Sequence, residues 1–140
     1  MFVFIIRYLG FLKFVPLLPV FVDAWMKMWA LLTSSAVPQC IDDIEAEVLS
    51  WPGTYKPLHK YGGLQLNCNG RELGHIHSNG LLDMLLSRKI KEELLKDGRI
   101  TDHHSFKNSG WISFYICDRR DAEYAQGLLK MAWLKIHQSV

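Results

Sequence analysis

The chain has 140 residues, 49% of them hydrophobic, which supports one domain of ordinary size with its own core plus an appendage rather than two full domains. Its net charge is +2, with lysines and arginines scattered among acids, so it lacks the basic footprint of a nucleic-acid binder, and an aromatic fraction of 12% argues against disorder. The glycines at 62, 63, 70, 74 and 80 do not take the spacing of a phosphate loop or a dinucleotide fingerprint, and no nucleophile elbow is present, which excludes nucleotide and serine-hydrolase chemistry.

Residues 1–32 form an apolar N-terminal segment. Arg7 and Lys13 interrupt it and Pro16 and Pro19 break helical hydrogen bonding, so no uncharged run reaches the roughly 18–20 residues of a spanning helix. If residues 11–32 are helical, Lys13, Asp23 and Lys27 fall within about 80° of one another and leave a broad face that includes Trp25, Met26, Met28 and Trp29. Such a face suits an interfacial anchor with snorkelling lysines, and the expectation is a membrane-associated chain; the plainer alternative packs this segment on the domain or on a partner. The segment has neither a short basic start nor a small-x-small cleavage site, which argues against a signal peptide.

Residues 33–40, with Ser34, Ser35 and Pro38, read as a linker, and the domain is expected over 41–140. Ile41 to Trp51 has helical spacing with acids at 42, 43, 45 and 47, and Pro52-Gly53 ends it. Leu64 to Cys68 alternates as a strand, Asn69-Gly70 is a two-residue hairpin turn, and Arg71 to His77 is the returning strand. Regular alternation along that strand puts Arg71, Leu73, His75 and His77 on one face and Glu72, Gly74 and Ile76 on the other. Asn79-Gly80 makes another turn, and Leu81 to Lys96 reads as an amphipathic helix closed by Gly98.

Residues 99–110 form a polar connector that carries His103 and His104. Trp111 to Cys117 then reads as a central strand, with Trp111, Ser113, Tyr115 and Cys117 facing one way and Ile112, Phe114 and Ile116 the other, and Asp118 to His137 as the closing helix. The order implies an α+β fold: a small antiparallel sheet packed by helices in two layers, preceded by the apolar helical segment. Cys40, Cys68 and Cys117 fit neither a disulfide framework nor a Cys-x-x-Cys metal site, so they read as reduced thiols in a reducing compartment, on the cytoplasmic side of any membrane. Cys68 and Cys117 are expected as small buried hydrophobes within strands.

Four of the six histidines thus fall in two clusters, at 75 and 77 and at 103 and 104, and such a grouping suggests a shared site. The run Arg71-Glu72-Leu73-Gly74-His75-Ile76-His77, the helix with Gly98, the His103-His104 pair and the Ser109-Gly110-Trp111 strand with its final helix resemble the luciferase domain family. That family is named for the fungal luciferase of hispidin-dependent bioluminescence, and the likeness spans roughly residues 41–136. The Asn108-Ser109-Gly110 connector is shorter than in the fungal enzyme, so the resemblance does not carry the fungal substrate across.

The resemblance implies a cofactor-independent, oxygenase-like enzyme that adds dioxygen to a small aromatic or enolic compound without metal or flavin. It calls for a base, a cation beside the oxyanion and a dry pocket. His75 or His77 suits the base, Arg71 the cation, and His104 completes the site by folding over the strand. Glu72, His103, Trp111 and Tyr115 are the expected substrate-binding residues, the two aromatics by stacking on a flat ligand; Glu72 reaches the site only if a bulge re-aims it, and otherwise anchors the fold. A metal reading competes: His75 and His77 with His103 or His104, and an oxygen from Asp102 or Asp83, form a set that zinc or iron accepts. A third reading is a non-catalytic module that binds a small ligand or a protein in the same pocket. Each residue also has a structural alternative: a loop-tying hydrogen bond for each histidine, core packing for Trp111, an ion pair across the hairpin for Arg71.

Overall fold

The computed structural model describes residues 21, 22, 24, 25, 28, 29, 36–58 and 63–137. Most of the apolar N-terminal segment therefore lies outside the described residues. The six that are described are helical, and Phe21, Trp25, Met28 and Trp29 among them are exposed. No helix among the described residues is long and apolar enough to cross a membrane.

The domain is α+β, as expected, with three helices on a six-stranded antiparallel sheet. In chain order it runs α1 (Ala36–Leu49), β1 (Thr54–Tyr55), β2 (Leu64–Cys68), β3 (Arg71–Ile76), β4 (Leu81–Leu85), α2 (Arg88–Lys96), β5 (Thr101–Asp102), β6 (Trp111–Tyr115) and α3 (Arg119–His137). The strands lie in the order β1-β2-β3-β4-β6-β5, so β3, β4 and β6 are inner strands.

Helix α1 begins within the stretch read as a linker. Pro38 stands in its first turn, where the missing amide has no intrahelical partner to lose, and Val37, Cys40, Ile44 and Val48 form the buried stripe. The β2–β3 hairpin forms where Asn69-Gly70 predicts it: both residues take positive φ, 49° and 79°, as a type I′ turn demands.

The largest departure from the sequence reading is Leu81 to Lys96, which is not one helix. Residues 81–85 are strand β4, paired with β3 on one side and β6 on the other, and helix α2 starts only at Arg88, with the Ser87 hydroxyl accepting the Ile90 amide as its N-cap. The turn at Asn79-Gly80 is closed by the His77 amide donating to Leu81 O at 2.8 Å, which makes 71–85 a second hairpin. The apolar run at 81, 82, 84, 85 and 86 covers both faces of an inner strand as well as it covers one face of a helix, and tertiary pairing decides between them.

One face of the sheet carries the core. Leu66, Leu73, Ile76, Leu82, Met84, Ile112 and Phe114 pack there with Ile44 and Val48 of α1 and Ala125, Leu128, Leu129 and Ala132 of α3. Gly74 lets β3 and β4 close up, since a Cβ at that position would lie 2.8 Å from Met84 Cβ and 2.9 Å from Asp83 O. All three cysteines are free; Cys40 and Cys68 are buried, and burial raises the pKa of each. Cys117 is exposed, contrary to expectation, because β6 ends at Tyr115.

Candidate functional site

The other face of the sheet carries the polar residues. A register shift between Leu66 and Asn67 pairs Leu66 with Gly74 but Asn67 with Glu72, leaving Leu73 as the extra residue of a bulge. The bulge reverses the expected facing of the first part of β3. Leu73 turns into the core, and Glu72 shares the open face with His75, its Oε1 lying 2.6 Å from His75 Nδ1. Arg71 pairs with the core residue Cys68 at the hairpin end; it is exposed, and no hydrogen bond or ion pair joins it to the histidines among the described residues. The expected cation is therefore not brought to the cluster.

The centre of the cluster is Asp83. Its position in the β3–β4 and β4–β6 ladders places it across from both His75 and Ser113, and its side chain is completely buried. The Ser113 hydroxyl donates to Oδ1 in a short hydrogen bond. Oδ2 makes no aligned hydrogen bond, yet three imidazole nitrogens face it: His77 Nε2 at 3.3 Å, His75 Nε2 at 3.8 Å and His103 Nε2 at 3.9 Å. A nitrogen of His104 also comes within 4.8 Å of the Asp83 and His103 donor atoms. The two histidine pairs, far apart in sequence, thus meet at one carboxylate.

Burial drives the Asp83 carboxyl upward, but contacts from His77 and Ser113, with smaller electrostatic help from the His103 and His77 rings, outweigh it, holding the group below the usual carboxylate range. Burial is also the main influence on His103 and His104. It lowers both, aided by the neighbouring imidazoles and opposed by Asp83, so both favour the neutral form. Burial raises the Tyr115 phenol, with the Asp83 charge adding to it.

Hydrogen bonds fix two of the rings. The Ser105 amide donates to His103 Nδ1 at 3.1 Å, so a neutral His103 carries its proton on Nε2, facing Asp83. His75 has the opposite arrangement: Nδ1–H donates to Glu72, and Nε2, if the ring is neutral, presents a lone pair toward Asp83 Oδ2.

The connector that carries His103 and His104 is tied down by Lys91, buried on α2, whose Nζ donates to Lys107 O at 2.8 Å and Ser109 O at 3.0 Å and pairs with Asp102 at 2.6 Å. Asp102, expected as a possible ligand oxygen, is committed there. Around the cluster His103 stacks on His104 at 4.2 Å and on Phe106 at 5.1 Å, and half-buried Trp111 lies 5.5 Å from His103 and 6.0 Å from His75. Trp111 therefore stands beside the cluster rather than in the core. Tyr115, two positions beyond Ser113 on the same face, is exposed.

The structure brings His75, His77, His103, His104, Glu72 and Trp111 together, leaves Tyr115 at the margin and leaves Arg71 out. Asp83 is the residue that sequence reasoning undervalued. Its signal is a single carboxylate inside Leu81-Leu82-Asp83-Met84-Leu85-Leu86, since an inner strand buries an acid only where partners wait for it.

Comparison with known families gives a match to the luciferase domain over residues 70–132. That span holds Glu72, both histidine pairs, Asp83, Lys91 and Trp111, and stops short of α1 and β2. No curated protein and no solved structure gives a significant match.

Proposed function

From the premise that residues 70–132 belong to the luciferase domain family, we propose that this chain is an oxygenase-like enzyme acting on a small aromatic or enolic compound bound over the open face of the sheet. The observation that carries the reading is the buried Asp83, whose Oδ2 is ringed by three imidazole nitrogens within 3.9 Å beside the aromatic wall of Trp111 and Phe106. Clusters of titratable groups with opposed influences gather where chemistry is done more often than where a fold is merely held.

In this reading Trp111 and Phe106 support the flat ring of the ligand, and its enolic oxygen faces His75, His77 and Asp83. His104, exposed on the connector and favouring the neutral form, takes the enol proton. The enolate carbon then gives its electron pair to dioxygen, a carbon–oxygen bond forms, and the proton returns to the outer oxygen, so that enol and dioxygen become a keto hydroperoxide with no other reductant.

An oxygen electrode with a panel of hydroxypyrones and related enols tests this. Uptake of one dioxygen per substrate consumed is expected, and His104→Ala retains ligand binding by calorimetry while turnover falls by about 100-fold or more. Compounds that bind without any oxygen uptake would replace the enzyme with a binding module.

Membrane association is part of the proposal. Phe21, Trp25, Met28 and Trp29 fall at i, i+4, i+7 and i+8, and all four are exposed. The full chain is expected to float with lipid vesicles, and Trp25→Lys with Trp29→Lys to abolish flotation; equal flotation of the variant removes this part.

A further inference from the structure

We propose that the same centre binds a divalent transition-metal ion through His75 Nε2, His77 Nε2 and Asp83 Oδ2. This deepens the oxygenase-like reading and departs from the metal-free chemistry that the resemblance to the fungal luciferase implies.

The first argument is charge. An ionised carboxylate is unsuited to a site that also receives an enolate unless a cation lies between them, and Arg71, the expected cation, is at the hairpin end. Asp83 Oδ2 is a fully buried anionic oxygen without an aligned hydrogen bond, and such atoms are rare enough to need a partner.

The second argument is geometry. Metal–ligand bonds of about 2.0–2.1 Å set neighbouring ligand atoms about 2.8–3.4 Å apart between octahedral and tetrahedral limits. His77 Nε2 is 3.3 Å from Asp83 Oδ2, already within that range, and His75 Nε2 at 3.8 Å reaches it with a small ring rotation. All three donors lie within 4.8 Å of one another. Two imidazoles and one carboxylate from adjacent strands leave positions open on the exposed side, the pattern of a metal centre that accepts substrate.

The third argument is the set of groups behind the ligands. A coordinating histidine donates its other N–H to a carboxylate or carbonyl, which fixes the tautomer, and a coordinating carboxylate is itself hydrogen-bonded. Glu72 takes the Nδ1 proton of His75, leaving Nε2 as the lone-pair donor, and Ser113 holds Oδ1 of Asp83, leaving Oδ2. His103 fails the same criterion. Its Nδ1 accepts from the Ser105 amide, so Nε2 carries the proton and coordinates only as an imidazolate. The criterion thus favours His75 and Asp83 and disfavours His103, and His77 joins them by its 3.3 Å approach to Asp83 Oδ2.

Titration with Co2+ under anaerobic conditions, without substrate, reads the site through visible d–d absorption and calorimetry. One Co2+ per chain is expected, competed by Zn2+. Asp83→Asn and His77→Gln each weaken binding by more than about 100-fold, beyond the loss typical of an outer-shell change. His137→Gln, a histidine on the last turn of α3 packed on Trp133, leaves binding unchanged. Circular dichroism confirms that each variant is folded; if Asp83→Asn is not, the half-buried His77→Gln decides alone. Absence of saturable Co2+ binding by the full chain, or undiminished affinity in a folded ligand variant, overturns the inference. Metal binding without oxygen uptake keeps the metal site and removes the oxygenase-like reading, whereas oxygen uptake by a protein that binds no Co2+ does the reverse.

Discussion

The two faces of the sheet are built from the same strands and solve opposite problems. On β3, β4 and β6 one face offers Ile76, Leu82, Met84, Ile112 and Phe114 to the helices, all buried at 4% exposure or less, and the other offers His75, Asp83 and Ser113 to the site. Apolar residues gain by leaving water in any close-packed arrangement, so the helix-covered face tolerates imprecision within limits of volume. The polar face tolerates none, because each buried polar atom must meet a specific partner. The contrast teaches that the rigid layer is what holds a costly carboxylate among imidazoles, and substitutions on the two faces should separate stability from chemistry.

The sharpest break of that pairing comes from the core side. Leu82, fully buried and adjacent in sequence to Asp83, should lose about 2–5 kcal/mol of stability on Leu82→Ala, measured by urea unfolding. Cobalt affinity, measured well below the unfolding transition, should stay within a fewfold of the parent; a loss as large as that of a ligand variant would mean the two faces are not separable.

Next in size is the strut between them. Lys91→Met leaves the carbonyls of Lys107 and Ser109 without their buried donor, at about 1–3 kcal/mol. Hydrogen exchange should rise across residues 103–109 and remain unchanged in β3 and β4. Faster exchange spread evenly over the sheet would mean that Lys91 supports the whole fold and not the connector.

How much of this division can be read from the sequence depends on how local its causes are. Asn69-Gly70 demands positive φ and sets the hairpin without help, and the alternation after Trp111 marks an inner strand whose two faces match the structure. The histidine grouping was legible because two pairs in one small domain have few places to go. Leu81 to Leu86 was not legible as a strand, because an apolar run of that length fits either period and only pairing with β3 and β6 resolves it. That ambiguity hid Asp83, which on a helix would have been one more polar-face acid. The bulge at Leu73 was equally hidden, and with it the side of the sheet on which Glu72 and Arg71 fall: a single inserted residue exchanges the faces of everything before it, and no residue type announces it. The start of α1 escapes the sequence for a simpler reason, that proline in a first helical turn looks like a linker until the turn is seen.

On the polar face Glu72 separates holding a ligand from being one. Glu72→Gln keeps the size of the side chain but ends the charge-assisted bond to His75 Nδ1, so Co2+ affinity should fall by about 10–100-fold, less than for Asp83→Asn. The urea midpoint should barely move, since Glu72 is partly exposed. A drop equal to that of the ligand variants would promote Glu72 from positioning His75 to direct coordination.

The smallest effect expected is on acid stability, and it belongs to the polar face alone. Burial makes His103 and His104 harder to protonate in the folded chain than at the ordinary histidine value of 6.5, the nearby imidazoles act in the same direction, and Asp83 only partly offsets them. Below that value the unfolded chain binds more protons than the folded one, so stability should decline as pH falls from neutral toward about 5. Asp83 acts in a separate, lower window: its depressed pKa supplies stability above 3.8 that is lost as pH falls through the folded value. Urea midpoints taken in chelator across pH 7.5 to about 5 should therefore slope downward on acidification, and the double variant His103→Gln with His104→Gln should flatten that slope. The core variant Leu82→Ala, which titrates nothing, should shift the whole profile down without changing its shape, and a profile that keeps its slope without the two histidines would assign the acid sensitivity to another part of the molecule.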